Sequence, residues 1–202
     1  MEQYIYTNTN SLSAEICNRL IKYFEEENTK YKGVTFGGFN ENIKDTIDYR
    51  IPINTENTKW SRVVQLLNKE LSHNIKTYVS EINKSIDIIE ELSTGKYKVF
   101  PSGNVIYDTF LIQRYKKNKG RYIYHDDSQI EWKETKFRVL TYIWYLNTVY
   151  EGGETEFWAK YKIHPEVGKL VIFPATWTYP HRGKMPVSSD KYILTGWIYL
   201  KE

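Results

Sequence analysis

An α+β fold is predicted, with helices packed on one face of a β-rich core. Two stretches early in the chain carry apolar residues at helical spacing, and the later part holds a series of strand-length aromatic and β-branched runs separated by turn residues. The aromatic fraction is 16%, with 18 Tyr and 6 Trp, which suits half-buried sheets where a ring packs and a polar tip finds a partner. Many short strands of this kind form a β-sandwich or barrel, of which the jelly roll is one solution, and the helices then cover one outer face of a sheet. At 202 residues the expectation is a single domain, 1–202. Within it, a helical part at 1–100 supports a core at 101–202. A chain of this length buries a sizeable core without disulfides.

The first helix is expected to start at Ser11-Leu12-Ser13-Ala14-Glu15, a serine cap followed by an acid in the first turn. Ile16, Leu20, Tyr23 and Phe24 recur at helical spacing, and the pattern fades at Glu25-Glu26-Glu27-Asn28. From Tyr31 to Asn57, residues Gly33, Gly37, Gly38 and Pro52 punctuate short strands and turns. A second helix is expected from about Thr58 to Glu81, with Val63, Leu66, Leu67, Leu71, Ile75 and Tyr78 as its apolar stripe. His73 on that helix has no ligand partner nearby and is read as structural or exposed. From about Lys96 the pattern turns to strands. These are Val105–Tyr115, Tyr122–Asp127, Phe137–Leu146, Thr155–Trp158, Lys169–Phe173 and Tyr192–Leu200, divided by Lys119-Gly120, Glu151-Gly152-Gly153 and Pro165-Glu166-Val167-Gly168.

Composition removes several function classes. The net charge of +3 is too weak for a nucleic-acid binder, whose Lys and Arg cluster on one face, so nucleic acid is not an expected partner. One basic run, Arg114 to Arg121, reads as a solvated loop between strands or as a steering patch for an anionic or extended substrate. The lone Cys17 sits in an amphipathic stretch and is expected to be a buried thiol. No apolar h-region follows Met1 and no run of 18 apolar residues occurs, so no membrane span is expected and a reducing, cytoplasmic setting is the default.

The chemistry-bearing residues begin at Tyr124-His125-Asp126-Asp127. In a strand, residues i and i+2 project to one face, so His125 and Asp127 can address one metal while Asp126 points away. This is half of a two-histidine, one-carboxylate facial triad, which leaves adjacent positions of an octahedral iron(II) open. The third ligand must come from later in the chain. His164 precedes Pro165 in a turn-like stretch, so His181, before an expected chain reversal, is favoured. On the last strand, Lys191, Ile193, Thr195 and Trp197 alternate onto one face. An inward Lys191 with Thr195 suits a carboxylate ligand; the alternative is a Lys191 that faces water. Tyr145 shares a face with Val139, Thr141 and Ile143, and Tyr115 ends its own strand. Either tyrosine adds a phenol to a pocket mouth or packs in the core.

Together these residues resemble the iron/2-oxoglutarate oxygenase domain of the prolyl 4-hydroxylase superfamily, from about Leu111 to Tyr199. The matching pieces are Gln113-Arg114-Tyr115, Tyr122 to Asp127, Arg138 to Asn147, Glu151 to Phe157, Pro165, Gly168, Leu170 to Pro174, His181-Arg182-Gly183, Pro186-Val187 and Lys191 to Trp197. The resemblance implies a double-stranded β-helix (jelly-roll) core. It implies His125, Asp127 and His181 as ligands of Fe(II) and Lys191 as partner of the distal carboxylate of 2-oxoglutarate. Tyr145 matches the family's strand tyrosine that helps hold that carboxylate, and Thr195 and Tyr115 match positions that support the cosubstrate. Trp197 matches an aromatic near the second metal histidine, and Gly152 and Gly153 match structural turn positions. Halogenating relatives lack the metal carboxylate, so Asp127 argues for hydroxylation.

The implied activity is O₂-dependent hydroxylation of a C–H bond, with ascorbate as reductant and a prolyl residue in a peptide or protein as the favoured substrate. A hydroxylase of a free amino acid or other small molecule is the first alternative. A jelly-roll binding module without chemistry is the second, and the intact ligand set with Lys191 argues against it. A nucleic-acid demethylase is weaker still, because no further arginine set follows the last strand. A long groove bordered by the Tyr31–Asn57 loops and the 114–121 run would favour a peptide; a closed pocket would favour a small molecule.

Overall fold

The computed structural model describes residues 2–52, 58–85, 105–107, 109–131 and 136–201. The expected onset of strand character near Lys96 lies outside the described residues, as does Asp108 within the expected strand Val105–Tyr115. Helix α1 spans Ala14–Glu26 and is capped by Ser13, whose hydroxyl accepts the Ile16 N–H at 3.3 Å. Its apolar face, Cys17, Leu20 and Phe24, is buried. Helix α2 spans Thr58–Ser85. It outruns the expected end at Glu81 because Ile82, four residues after Tyr78, extends the buried stripe by one turn. Leu66, expected in that stripe, is exposed; the stripe runs instead through Trp60, Leu67, Leu71, Ile75, Tyr78 and Ile82, and Leu66 lies on its flank. His73 is exposed.

In chain order the strands are β1 (Tyr6–Asn8), β2 (Tyr31–Lys32), β3 (Lys44–Asp45), β4 (Ile47–Arg50), β5 (Val105–Tyr107), β6 (Leu111–Tyr115) and β7 (Arg121–His125), followed by β8 (Ile130–Glu131), β9 (Lys136–Tyr145), β10 (Thr155–Phe157), β11 (Tyr161–Ile163), β12 (Leu170–Pro174), β13 (His181–Gly183) and β14 (Lys191–Lys201). They form two antiparallel sheets. The nine-stranded sheet runs β1-β12-β9-β14-β6-β4-β2, with β5 on β14 and β8 on β9; the five-stranded sheet runs β11-β10-β13-β7-β3. The early part of the chain thus supplies strands to both sheets as well as the helices.

Two apolar layers result. One joins α1 and α2 to the outer face of the nine-stranded sheet through Phe24, Leu67, Leu71, Tyr142, Trp144, Ile172, Leu194 and Ile198. The other lies between the sheets and contains Ile143, Tyr145, Phe157, Val171, Phe173, Tyr179 and Ile193. This is the helices-on-one-sheet layering that the composition and periodicity predict. Leu67 is fully buried in the helix-side layer. Leu67→Ala is expected to cost about 2–5 kcal/mol of stability, read by chemical denaturation.

Several local features were not foreseen. The expected strand Val105–Tyr115 is two strands, β5 and β6, both paired with β14. Strands β1, β11 and β13 are three residues each, too short for an alternation pattern to mark. Val139 does not share a face with Thr141. The register shifts between Ile198↔Leu140 and Tyr199↔Arg138, leaving Val139 as the extra residue of a bulge that packs on the helix-side layer beside Leu140. Arg138 is thereby turned to the inner side of the sheet. Gly152 and Gly153 make the turn before β10 with φ of 72° and 74°. A Cβ on Gly152 would stand 2.4 Å from the Met185 carbonyl oxygen, so both conformation and space require glycine. Among the described residues, no helix is long and apolar enough to cross a membrane.

Candidate metal centre and anion pocket

Strand β13 pairs antiparallel with β7, and His181 stands directly opposite His125. Cross-strand partners share a face, so the two rings meet with centroids 4.3 Å apart. Asp127 lies just beyond the end of β7 and is turned inward, while Asp126 is exposed. One ligand atom from each of His125, Asp127 and His181 lies within 4.8 Å of the others. His164 is not part of the group; its side chain is 63% exposed, in the loop after β11.

The surroundings orient each donor. His125 Nδ1 contacts the Ile123 carbonyl at 2.8 Å, and His181 Nδ1 contacts the Tyr179 carbonyl at 3.1 Å. A carbonyl accepts only, so each Nδ1 carries the proton and each Nε2 presents a lone pair. Both Nε2 atoms face the Asp127 carboxylate, at 3.9 Å for His125 and 3.6 Å for His181. The Thr141 hydroxyl, reaching across from β9, donates to Asp127 Oδ2 at 2.7 Å. Burial, helped by the neighbouring His181, lowers the His125 pKa to about 4, which keeps the ring neutral. Burial alone would raise the Asp127 pKa, but the adjacent His181 and His125 outweigh it and hold the carboxyl below its ordinary value. Two imidazoles and one carboxylate on one side of a point are the donor chemistry that iron(II) takes.

The triad opens into a cavity of about 690 Å³ between the sheets. Lys191, Thr195, Tyr115 and Thr155 line the same cavity. Lys191 is 1% exposed; its Nζ donates to the Gly153 carbonyl at 3.0 Å and stands 4.0 Å from the Tyr115 ring centroid. Burial lowers its pKa to about 7, and the more distant Glu154 only partly opposes this. An inward, fully buried ammonium held by a carbonyl and a ring face fits an incoming carboxylate. The Thr195 hydroxyl donates to the Tyr142 carbonyl at 2.7 Å, leaving its oxygen as an acceptor. Tyr145 stands one layer behind the wall: its hydroxyl donates to Thr155 Oγ1 at 2.7 Å, and Thr155 faces the cavity.

Sequence reasoning assigned no role to three groups now found here. Arg138, displaced by the bulge, stacks its guanidinium 3.6 Å from the Trp197 ring centroid and donates to the Asp127 carbonyl at 3.4 Å. Tyr122 stacks on His125 at 3.5 Å between centroids. Lys44 and Asp48 line the cavity from the N-terminal part of the chain. Of the 114–121 run, Tyr115 is the cavity residue, and Arg114 pairs with Glu25 on the outer side.

A family model described as the 2OG-Fe(II) oxygenase superfamily matches residues 110–199. No curated protein matches the sequence. Among solved structures, the viral collagen prolyl hydroxylase of Paramecium bursaria Chlorella virus-1, in its 2-oxoglutarate complex, is similar at 18% identity. The match covers 98% of this chain and 96% of that one, with a TM-score of 0.68. A Trichoplax adhaerens prolyl hydroxylase, in complex with a hypoxia inducible factor peptide fragment, matches at 18% identity over 98% and 84% of the two chains, with a TM-score of 0.66. A Pseudomonas putida prolyl-4-hydroxylase matches at 15% identity over 98% and 92%, with a TM-score of 0.63. The likeness in fold therefore reaches the region before Leu111, where no sequence motif could be matched. Residues 110–199 match the 2OG-Fe(II) oxygenase superfamily, and the chain has a prolyl 4-hydroxylase-like fold.

Proposed function

We propose that this chain hydroxylates a prolyl residue in a peptide or protein, with His125, Asp127 and His181 holding Fe(II) and Lys191 pairing with the distal carboxylate of 2-oxoglutarate. The observation that carries the reading is that the three candidate metal donors and a buried Lys191 amine held by the Gly153 carbonyl open into one cavity. The core is read as a double-stranded β-helix. In support, β6, β9, β12 and β14 belong to one sheet, and β7, β10, β11 and β13 to the other.

Bound iron, 2-oxoglutarate and O₂ supply the oxidising chemistry, yielding succinate, CO₂ and a substrate hydroxyl, with ascorbate as reductant. This chain's own residues bind and orient. The Ile123 and Tyr179 carbonyls fix the tautomers of His125 and His181, and Thr141 fixes the rotamer of Asp127. Lys191 gives a carboxylate one charge, and the Thr195 hydroxyl joins it by turning its proton from the Tyr142 carbonyl to the incoming oxygen. Tyr115 forms the wall beneath Lys191, and Tyr145 sets the Thr155 hydroxyl at that end of the cavity. The apolar layer between the sheets keeps bulk water from this end.

A peptide is favoured over a free amino acid by the cavity's outer end. It is lined by Tyr31, Val34, Thr35, Phe36 and Arg50 from the 31–50 segment, with Phe36 almost fully exposed. An open apolar rim of this kind suits a chain running past the metal better than a closed small-molecule pocket does. The test is succinate release from 2-oxoglutarate with Fe(II), ascorbate and O₂. Proline-containing peptides and free amino acids are compared, with His181→Ala as control. Release that requires His181 and rises with peptides is expected; release that rises only with free amino acids would give the site to a small molecule.

A further inference from the structure

The cavity wall carries a second set of buried charges. Lys44 and Asp48 are 5% and 2% exposed and form an ion pair at 2.8 Å. They flank Thr46, where the chain leaves the five-stranded sheet and enters the nine-stranded one: β3 pairs with β7, and β4 pairs with β6. The pair therefore straddles the corner where the sheets meet. One end lies beside the strand that bears His125 and the other beside the strand that bears Tyr115.

Its contacts run on in both directions. Asp48 Oδ1 accepts the Thr46 hydroxyl at 2.7 Å, and Oδ2 accepts Gln113 Nε2 at 3.1 Å as well as Lys44. Gln113 Oε1 in turn accepts the Tyr115 hydroxyl at 3.4 Å, and the Tyr115 ring lies against Lys191 Nζ. On the other side, Lys44 Nζ stands 5.4 Å from the centroid of Tyr122, the ring stacked on His125. One chain of contacts thus joins a metal donor to the buried ammonium through a strap from the N-terminal part. A buried ion pair is weak evidence for stability, since an apolar pair of similar volume often serves as well.

We propose that Lys44 and Asp48 are positioning residues that set the separation between the metal end and the carboxylate end of the site, acting through Tyr122–His125 and through Gln113–Tyr115. The proposal rests on the reading of His125 and Lys191 given above.

The test compares wild type, Lys191→Ala, the double variant Lys44→Met/Asp48→Leu, and Gln113→Met. The double variant removes both charges and leaves neither orphaned, and Gln113→Met breaks the chain while keeping both charges of the ion pair. 2-Oxoglutarate binding to Mn(II)-loaded protein is measured by calorimetry, alongside melting temperature and the KM and kcat of succinate release. The double variant is expected to melt within a few degrees of wild type and to bind 2-oxoglutarate on the order of tenfold more weakly, the scale of losing an outer partner. KM should rise with it while kcat at saturation changes less, and Gln113→Met should shift binding in the same direction. Folded variants whose binding and KM stay within about twofold of wild type overturn the proposal. If the double variant does not fold, Gln113→Met decides alone by the same criterion. Wild type that binds no 2-oxoglutarate, or binds it equally well as Lys191→Ala, overturns the reading of the site and this proposal with it.

Discussion

Lys191→Met is expected to abolish the thermal response to 2-oxoglutarate while raising the melting temperature of the protein without it. The Nζ is fully buried, and burial lowers its pKa to about 7 against an ordinary value of 10.5. Removing that desolvated amine and filling its volume with a thioether is expected to stabilise the protein by about 1–3 kcal/mol. The same substitution removes the charge proposed to hold the distal carboxylate. Wild type should also bind 2-oxoglutarate more weakly as pH rises. The ammonium form binds the anion, and the free protein loses that form above about pH 7, so binding takes up a proton. Affinity should fall about tenfold per pH unit above 7 until the pKa of the complex is reached, and should be flat below. Calorimetry of Mn(II)-loaded wild type and Lys191→Met between pH 6 and 9 checks both effects. A pH-independent affinity, or a variant that still responds to 2-oxoglutarate, would remove Lys191 from the anchor role.

Asp127→Ala is expected to lose iron affinity by at least 100-fold and all succinate release with it. Outer-sphere partners of a metal ligand are worth 10–100-fold by themselves, and Asp127 is the anionic donor of the three. Thr141→Val removes only the hydrogen bond on Asp127 Oδ2; it should cost about tenfold in iron affinity and leave the fold intact. Anaerobic Fe(II) titration of the three proteins gives the order. Undiminished iron binding in Asp127→Ala would place the metal elsewhere, and an unchanged Thr141→Val would show that the carboxylate needs no outer support.

Much of the site was legible because strand alternation is a local rule. It placed Lys191 and Thr195 on one side of β14 and Leu194 and Ile198 on the other; the structure turns the first side to the cavity and the second to the helix-side layer, a choice alternation left open. The His125-x-Asp127 spacing pointed to a pair that the fold brings together with His181, even though β7 stops at His125 and Asp127 lies beyond it. The same rule failed at Val139, where one bulged residue reversed the faces on its N-terminal side and brought Arg138 inward. It was silent for Leu66, whose position on the flank of α2 depends on how the helix rolls against the sheet.

The sequence by itself determined the layering, the longer second-half strands, and a candidate set of residues for a metal and a carboxylate, because propensity, periodicity and donor chemistry are properties of short segments. Only the tertiary structure decided that His181 stands opposite His125 while His164 faces solvent, since that depends on the pairing of β13 with β7 across 56 residues of chain. It likewise decided that Tyr145 reaches the cavity wall only by its hydrogen bond to Thr155, and that Lys44 and Asp48 close the corner between the sheets. These are contacts between segments distant in sequence, fixed by which strands become neighbours, and no local pattern records that choice.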